Sequence, residues 1–128
     1  YAKTLNIEAL TMIHMASRQL LPVCVSYSRK LADAVIAVTE AGADASVQEE
    51  LLNEVSRELK TAKLALEALK IDEEKAGEIA NAREKAFFYK DVIKEDMEAL
   101  RAPIDRLEML VEKDMWPMPT YADLMFEV

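Results

Sequence analysis

Side chains that could serve as nucleophiles, general bases or metal ligands are few in this sequence. His14 is the only histidine and Cys24 the only cysteine. A di-metal site in a helical bundle uses Glu-x-x-His motifs, but Thr11 stands three residues before His14. Cys24 would need a neighbouring base to act as a nucleophile. We therefore expect no catalytic or metal-binding residue. His14 is predicted to be partly buried and hydrogen-bonded, and Cys24 to be a small core residue.

The sequence also lacks the patterns that bind nucleotides. Its two glycines, Gly42 and Gly77, lie too far apart for a glycine-rich phosphate loop. A single histidine gives no basis for a Ser-His-Asp triad. The acidic groups Asp72–Glu74 and Glu95–Asp96 are predicted to be helix-end or surface charges. We expect no cofactor in this segment.

Composition narrows the classes of partner and fold. The 128 residues carry 16 Lys and Arg against 24 Asp and Glu, which gives a net charge of −8. An acidic chain is a poor ligand for nucleic acid or for anionic membranes. A lone cysteine indicates a reducing compartment, and we expect a cytoplasmic protein. Only 2 glycines and 4 prolines favour helices over turn-rich sheets.

Apolar residues that recur every three or four positions define three helical segments, at about 6–40, 47–70 and 73–114. Gly42 is predicted to end the first helix, Ser46 and Glu49 to form a capping box, and Asp72 to cap the third helix. Prolines at 22 and 103 predict kinks. The fold class is therefore all-α. We expect one domain, 1–128, as an elongated antiparallel up-down-up bundle of three long helices, with the tail 115–128 packed back on it.

The first helix carries few charges and has apolar residues on most sides. Between Leu5 and Ser28 only Glu8 and Arg18 are ionised. The predicted core face includes Leu10, Leu20, Cys24 and Leu31, yet further apolar residues lie off that face. A helix that is apolar all round is normally buried all round. The remaining face either packs on something outside the bundle or is covered by the tail, and Arg18 and Pro22 are candidate interface residues.

The second unusual feature is the tail that begins Trp116-Pro117-Met118-Pro119. Its prolines favour an extended path. We expect Trp116, Tyr121 and Phe126 to form a hydrophobic clasp at an open end of the bundle. The other interpretation is a docking segment that uses the same aromatic side chains and Pro117.

Several stretches of the sequence resemble one enzyme family. They are Asn6–Ile13, Leu21-Pro22 with Tyr27, Leu100-Arg101 followed by Ile104–Glu108, and the ending Trp116–Phe126. Together they resemble the C-terminal region of type III glutamine synthetases, from about Lys3 to Val128. The Trp-Pro-x-Pro-Thr-Tyr string is the most specific of these stretches.

The resemblance implies a function that periodicity does not show. The parent would be a bacterial cytoplasmic ligase that joins ammonia to glutamate with ATP and Mg or Mn. Its catalytic barrel would lie upstream of Tyr1, and none of its catalytic motifs falls on this sequence. Such enzymes form homo-dodecamers of two stacked hexameric rings. This segment would be a non-catalytic domain, excised from the larger chain. Its partners would be its own catalytic domain and the neighbouring subunits.

Two other classes of protein remain open from the residues alone. One is a freestanding helical module that binds a partner protein. The other is a small helical metalloprotein, which metal analysis would test.

Overall fold

The computed structural model describes residues 2–118, which form three helices and a short 3-10 turn, with no strand among them. Helix α1 (2–40) contains a π-helical turn, Ala16–Leu20, between the α-helical stretches Ala2–Met15 and Leu21–Glu40. Helix α2 is Ser46–Glu78. Helix α3 (82–110) runs through Ala82–Phe88, a π-helical turn Tyr89–Ile93, and Lys94–Leu110. The 3-10 turn is Lys113–Met115.

The all-helical fold class is thus confirmed for the described residues, with three helices as predicted. The up-down-up order and the proline bends stay predictions. The tail residues 119–128 lie outside the described part of the chain. Between residues 2 and 118, no helix combines the length and apolar character needed to span a membrane.

Gly42 ends α1 as predicted. Its φ angle of 79° lies in the left-handed region that favours glycine. The Ala43 N–H donates to the Val38 carbonyl at 3.1 Å, and the Gly42 N–H donates to the Thr39 carbonyl at 3.0 Å. These two bonds form a Schellman cap, which satisfies carbonyls that the helix end leaves free.

The predicted capping box at Ser46 and Glu49 is wrong. The N-cap residue of α2 is Ala45, and it forms no side-chain cap. Instead the Asp44 carboxylate accepts a hydrogen bond from the Ser46 backbone N–H at 2.9 Å. That bond keeps the pKa of Asp44 below its usual value. A carboxylate two residues before the first helical residue can accept from the free backbone N–H groups there, and so it competes with a capping box for them.

The predicted boundary between the second and third helices is also wrong. α2 does not end near Lys70 but continues to Glu78, so Asp72 lies inside the helix rather than at a cap. Asn81 caps α3 instead, because its side-chain oxygen accepts from the N–H groups of Arg83 and Glu84, both at 3.0 Å. The apolar stripe of α2 extends to Ala76, which is fully buried. Burial of that stripe favours continued helix over a cap at Asp72.

The core lies where α2 packs on both α1 and α3. The predicted apolar stripe of α2 is confirmed, since its central residues are buried and its flanking leucines pack against them. α3 contributes a matching set. The fully or nearly fully buried residues of the two helices are Val55, Ala62, Leu66, Leu69 and Ala76 on α2 and Tyr89, Ile93, Met97, Leu100, Pro103 and Leu107 on α3.

The π turn of α1 lies just ahead of Pro22. There the Leu21 N–H bonds to the Ala16 carbonyl, five residues back. Pro22 has no N–H to donate, and its ring would clash with the Arg18 carbonyl in a regular α-helix. The wider turn gives room at this point. At Pro103, by contrast, the helix continues without a break and the proline is buried.

One consequence of the π turn is a shift of the buried face by one residue. Leu20 at the end of the turn and Cys24 and Leu31 after it are buried as predicted. The buried residues ahead of the turn are Leu5 and Ala9, and Ala16 is buried at its start. The prediction that Leu10 lies in the core is therefore wrong. When a regular helical period is extended toward the N-terminus across the extra residue of a π turn, it assigns burial to the residue next to the one that is actually buried.

The two glycines give a matched test of this backbone. Gly42→Ala should lower the free energy of unfolding by about 1–2 kcal/mol, because a Cβ disfavours the left-handed conformation. Gly77 lies within α2 with open space around it, so Gly77→Ala should raise the free energy by up to about 1 kcal/mol. Urea unfolding of the three proteins measures both. Equal effects of the two substitutions would contradict the cap.

Candidate interaction surfaces

The outward side of α1 exposes apolar side chains. Ile7 is 65% exposed, Leu10 49% and Val25 55%. Burying a fully exposed side chain of this size contributes about 1.5–3 kcal/mol, and each of these half-exposed side chains would gain roughly half of that from a partner that covered it. The packing of α1 on α2 and α3 leaves these residues uncovered, so this side of α1 is the first candidate interaction surface. We call it the outer face of α1.

Two of the predicted interface residues, Arg18 and Pro22, are exposed near this face. Arg18 forms no ion pair with any residue between 2 and 118. Its role at an interface stays a prediction. His14 is exposed rather than partly buried. That expectation is wrong because the π turn rotates this part of α1 relative to the predicted core face.

Cys24 is a core residue, as predicted. Its side chain is fully buried on α1. Burial raises the pKa of the thiol to about 11, so the reactive thiolate is scarce at neutral pH. The side chain acts as a small apolar group rather than as a nucleophile.

A second candidate surface is a groove of about 230 Å³ between α1, α3 and the segment after α3. Its apolar lining includes three methionines and the indole of Trp116, with charged residues at the rim. The lining residues are Met12, Met15, Leu20, Arg101, Ile104, Asp105, Glu108, Trp116 and Met118. Arg101 forms no ion pair with Glu98 or Asp105, which lie three and four residues away on α3. Its Nη2 lies 4.0 Å from the Met12 sulfur instead.

Trp116 is only 8% exposed and packs in the main core cluster, whereas Pro117 is exposed. The segment that carries Trp116 is held by Lys30 of α1, whose Nζ lies 2.5 Å from the Glu112 carboxylate. That contact raises the pKa of Lys30. Tyr121 and Phe126 lie outside the described residues, so the joint clasp of the three aromatics stays a prediction.

A buried polar contact joins all three helices. The Tyr89 hydroxyl lies 3.0 Å from Asn6 Oδ1 on α1 and 3.0 Å from Glu73 Oε1 on α2. Burial first, and then Glu73, raises the pKa of Tyr89 to about 12. Burial also raises the pKa of Glu73. Tyr89 lies in the apolar period of α3, between Ala86 and Ile93, and a hydroxyl at such a position is itself a signal that a partner is needed.

Asp72 and Asp96 form a second contact between α2 and α3. Burial, the Asp72 carboxyl and the Glu95 charge together raise the pKa of Asp96 to about 7. Lys75 Nζ lies 3.9 Å from Asp72 Oδ1. The prediction that these acids are simple helix-end or surface charges is wrong, because the extension of α2 brings Asp72 against α3.

None of these contacts assembles a recognisable catalytic centre. Within residues 2–118, no group of three or more His, Cys, Asp and Glu side chains is placed to hold a metal ion. Within the same residues, the side chains that meet across helices include the Tyr89–Glu73 contact and the Arg106–Glu58 ion pair, and neither includes a histidine or a thiol.

Comparison with known proteins identifies sequences that are similar to this chain. Residues 1–39 match the family model of the glutamine synthetase C-terminal domain. The chain is 26% identical to a glutamine synthetase of Bacteroides fragilis (strain YCH46), over 98% of its own length and 18% of that protein. It is 27% identical to a glutamine synthetase of Butyrivibrio fibrisolvens, over 100% of its length and 19% of that protein.

This chain is similar to glutamine synthetases. It spans less than a fifth of the length of these curated relatives. The segment that matches the family model, residues 1–39, coincides with α1 and therefore includes its outer face. The similarity to the two relatives extends over α2 and α3 as well.

The Trp116 side chain gives a test of the clasp. Trp116→Ala should lower the free energy of unfolding by about 3–5 kcal/mol, since the ring is buried in the core. Phe87→Ala is the matched control, because Phe87 is 51% exposed, and it should have a much smaller effect. Chemical unfolding measures both. Unchanged stability of the Trp116 variant would favour the docking interpretation.

Proposed function

We propose that this chain is a non-catalytic helical C-terminal domain of a type III glutamine synthetase. Its work is to pack on the catalytic domain of its own chain and on neighbouring subunits of a bacterial, cytoplasmic homo-dodecamer. The similarity to two glutamine synthetases supports the parent enzyme. The family-model match supports the assignment to its C-terminal domain.

The observation that carries this proposal is the outer face of α1. Ile7, Leu10 and Val25 are about half exposed or more, and all three belong to the segment that matches the family model. Exposed apolar side chains on one helix indicate a surface that a partner covers. The relatives are more than five times as long as the aligned segment. The remainder of such a chain is the natural partner for this face.

The catalytic work belongs to the rest of the parent enzyme. It would make glutamine from glutamate, ammonia and ATP, with Mg or Mn, through residues outside this segment. No residue of this chain is assigned to the reaction. Its side chains instead stabilise helix packing, and Arg18, which forms no ion pair among residues 2–118, adds a positive charge near the packing face.

We also propose that the tail 115–128 folds back on the bundle in its up-down-up arrangement. Trp116 is already buried and Met118 lines the groove beside α1 and α3. The residues that follow include Tyr121 and Phe126.

A substitution in the tail tests this arrangement. Phe126→Ser should lower the midpoint of thermal unfolding by several degrees, because about 1–3 kcal/mol of aromatic burial would be lost. The conservative variant Phe126→Leu should restore most of the loss. A midpoint that does not change with Phe126→Ser would contradict the clasp.

The size of the native gene product tests the parent enzyme. An antibody raised against this segment should detect, on a denaturing gel of a source-cell lysate, a band several times heavier than 14.4 kDa. A band at 14.4 kDa would favour the alternative, a freestanding helical interaction module.

The isolated 128 residues should form no glutamine from glutamate, ammonia and ATP, and measurable formation would overturn the non-catalytic role.

Substitutions in the full-length parent enzyme give a more direct test of packing. Leu10→Asp places a charge on the outer face and should shift assembled enzyme toward smaller species in size-exclusion chromatography. Leu64→Asp is the matched control, because Leu64 is 64% exposed on α2 and outside the outer face. If both variants assemble like the unsubstituted enzyme, the outer face of α1 is not a packing surface.

A further inference from the structure

Another groove, of about 460 Å³, runs between α1 and α2, and we call it the α1–α2 groove. α1 contributes the exposed side chains of Pro22 and Val25 to one wall, and α2 contributes Leu59 to the other. The floor is apolar, because Leu21 and Leu66 are only 8% and 1% exposed there. An apolar surface between two helices is suited to bind the apolar face of a third helix.

The α1–α2 groove is long enough for several helical turns. Its lining on α2 recurs in steps of four, three and four residues, which places these side chains on one face of the helix. They are Leu59, Lys63, Leu66 and Lys70. This face is about 16 Å long, since each residue of a helix adds about 1.5 Å. A helix lying beside it would present about three turns, with apolar side chains three or four residues apart.

The rim of the groove is positive, although the whole chain has a net charge of −8. Among residues 2–118, the lining includes Lys63 and Lys70 and no Asp or Glu. The groove between α1, α3 and the segment after α3 differs, because Asp105 and Glu108 belong to its lining. A basic rim on an acidic domain favours a partner that carries carboxylates.

One carboxylate of the domain serves both lysines. Glu67 Oε1 lies 2.8 Å from Lys63 Nζ and 3.6 Å from Lys70 Nζ. The hydrogen bond from Lys63, together with the charges of the two lysines, lowers the pKa of Glu67. Neither lysine forms another ion pair among residues 2–118. Two ammonium groups against one carboxylate leave one positive charge that a partner's carboxylate would balance.

We propose that the α1–α2 groove binds an acidic amphipathic helix from the part of the parent enzyme outside these 128 residues. Its apolar side chains would lie against Val25, Leu59 and the floor, and its carboxylates would face Lys63 and Lys70. The inference rests on the proposed packing function and adds the chemistry of the partner segment. Apolar burial supplies most of the affinity of such a contact, while the charge pairs at the rim set orientation and partner choice.

Zero-length crosslinking of the assembled full-length enzyme tests the partner directly. A carbodiimide joins a lysine to a carboxylate in contact with it, and mass spectrometry of the digest identifies both residues. Lys63 or Lys70 should be joined to Asp or Glu residues outside this segment. Lys30 with Glu112, whose charged atoms lie 2.5 Å apart, is the internal positive control. Crosslinks of Lys63 and Lys70 confined to this segment, in enzyme where the control pair is joined, would overturn the proposal.

Synthetic helices test the groove on the 128-residue chain without the parent enzyme. One probe of about 18 residues, long enough to form an isolated helix, carries leucines three and four residues apart with flanking glutamates. The second probe has lysines in place of those glutamates. Because the chain is acidic overall, non-specific attraction would favour the second probe. The acidic probe should instead bind at least about tenfold more tightly and shift the amide NMR signals of residues 17–25 and 59–70. Equal affinities, tighter binding of the basic probe, or shifts elsewhere would count against the groove.

A pair of double variants assigns the preference to the two lysines. Lys63→Gln with Lys70→Gln should weaken binding of the acidic probe by about threefold to tenfold, since two exposed charge pairs are lost. Lys60→Gln with Lys90→Gln is the matched control, because both lysines are exposed and lie outside the groove lining and the net charge changes equally. Equal loss in both double variants would show that only the overall charge matters, and would reject the groove. That result would leave the packing role of the outer face standing, because Leu10→Asp tests that face separately.

Discussion

The burial of one apolar stripe on α2 is the constraint on which the rest of the described structure depends. That stripe, from Val55 through Leu66 and Leu69 to Ala76, lies between α1 and α3. Because burial of this stripe favours continued helix, α2 extends past Asp72, which could have capped a new helix. It therefore sets where α3 begins and which of its residues face inward. The contact of Tyr89 with Glu73 lies between α3 and α2, where this packing brings the two helices together.

The π turn in α1 is the second constraint, and it has a local cause. Pro22 cannot donate a backbone hydrogen bond, and the extra residue in the preceding turn makes room for its ring. The same extra residue moves Ala9 and Ala16 to the inside and Leu10 to the outside. The outer face of α1 is thus partly a product of one proline. A π turn within a helix is often associated with function, and here it exposes apolar side chains beside Arg18.

Cys24 and His14, the two side chains best suited to catalysis, lie in different surroundings. The thiol of Cys24 is buried and its pKa is raised, and His14 is exposed without a catalytic partner among residues 2–118. Burial and the neighbouring carboxyl groups raise the pKa of Asp96 to about 7.

The sequence by itself determined the helical class, the apolar stripe of α2 and the cap at Gly42. These follow from local rules, because a period of three to four residues and a left-handed glycine depend on little beyond the chain itself. Only the tertiary structure decided the continuation of α2 through Asp72, the exposure of Leu10 and the meeting of Asp72 with Asp96. Asp72 is an acceptable cap and an acceptable helix residue. The choice depends on the burial of Ala76 against neighbouring helices, and no local pattern contains that contact.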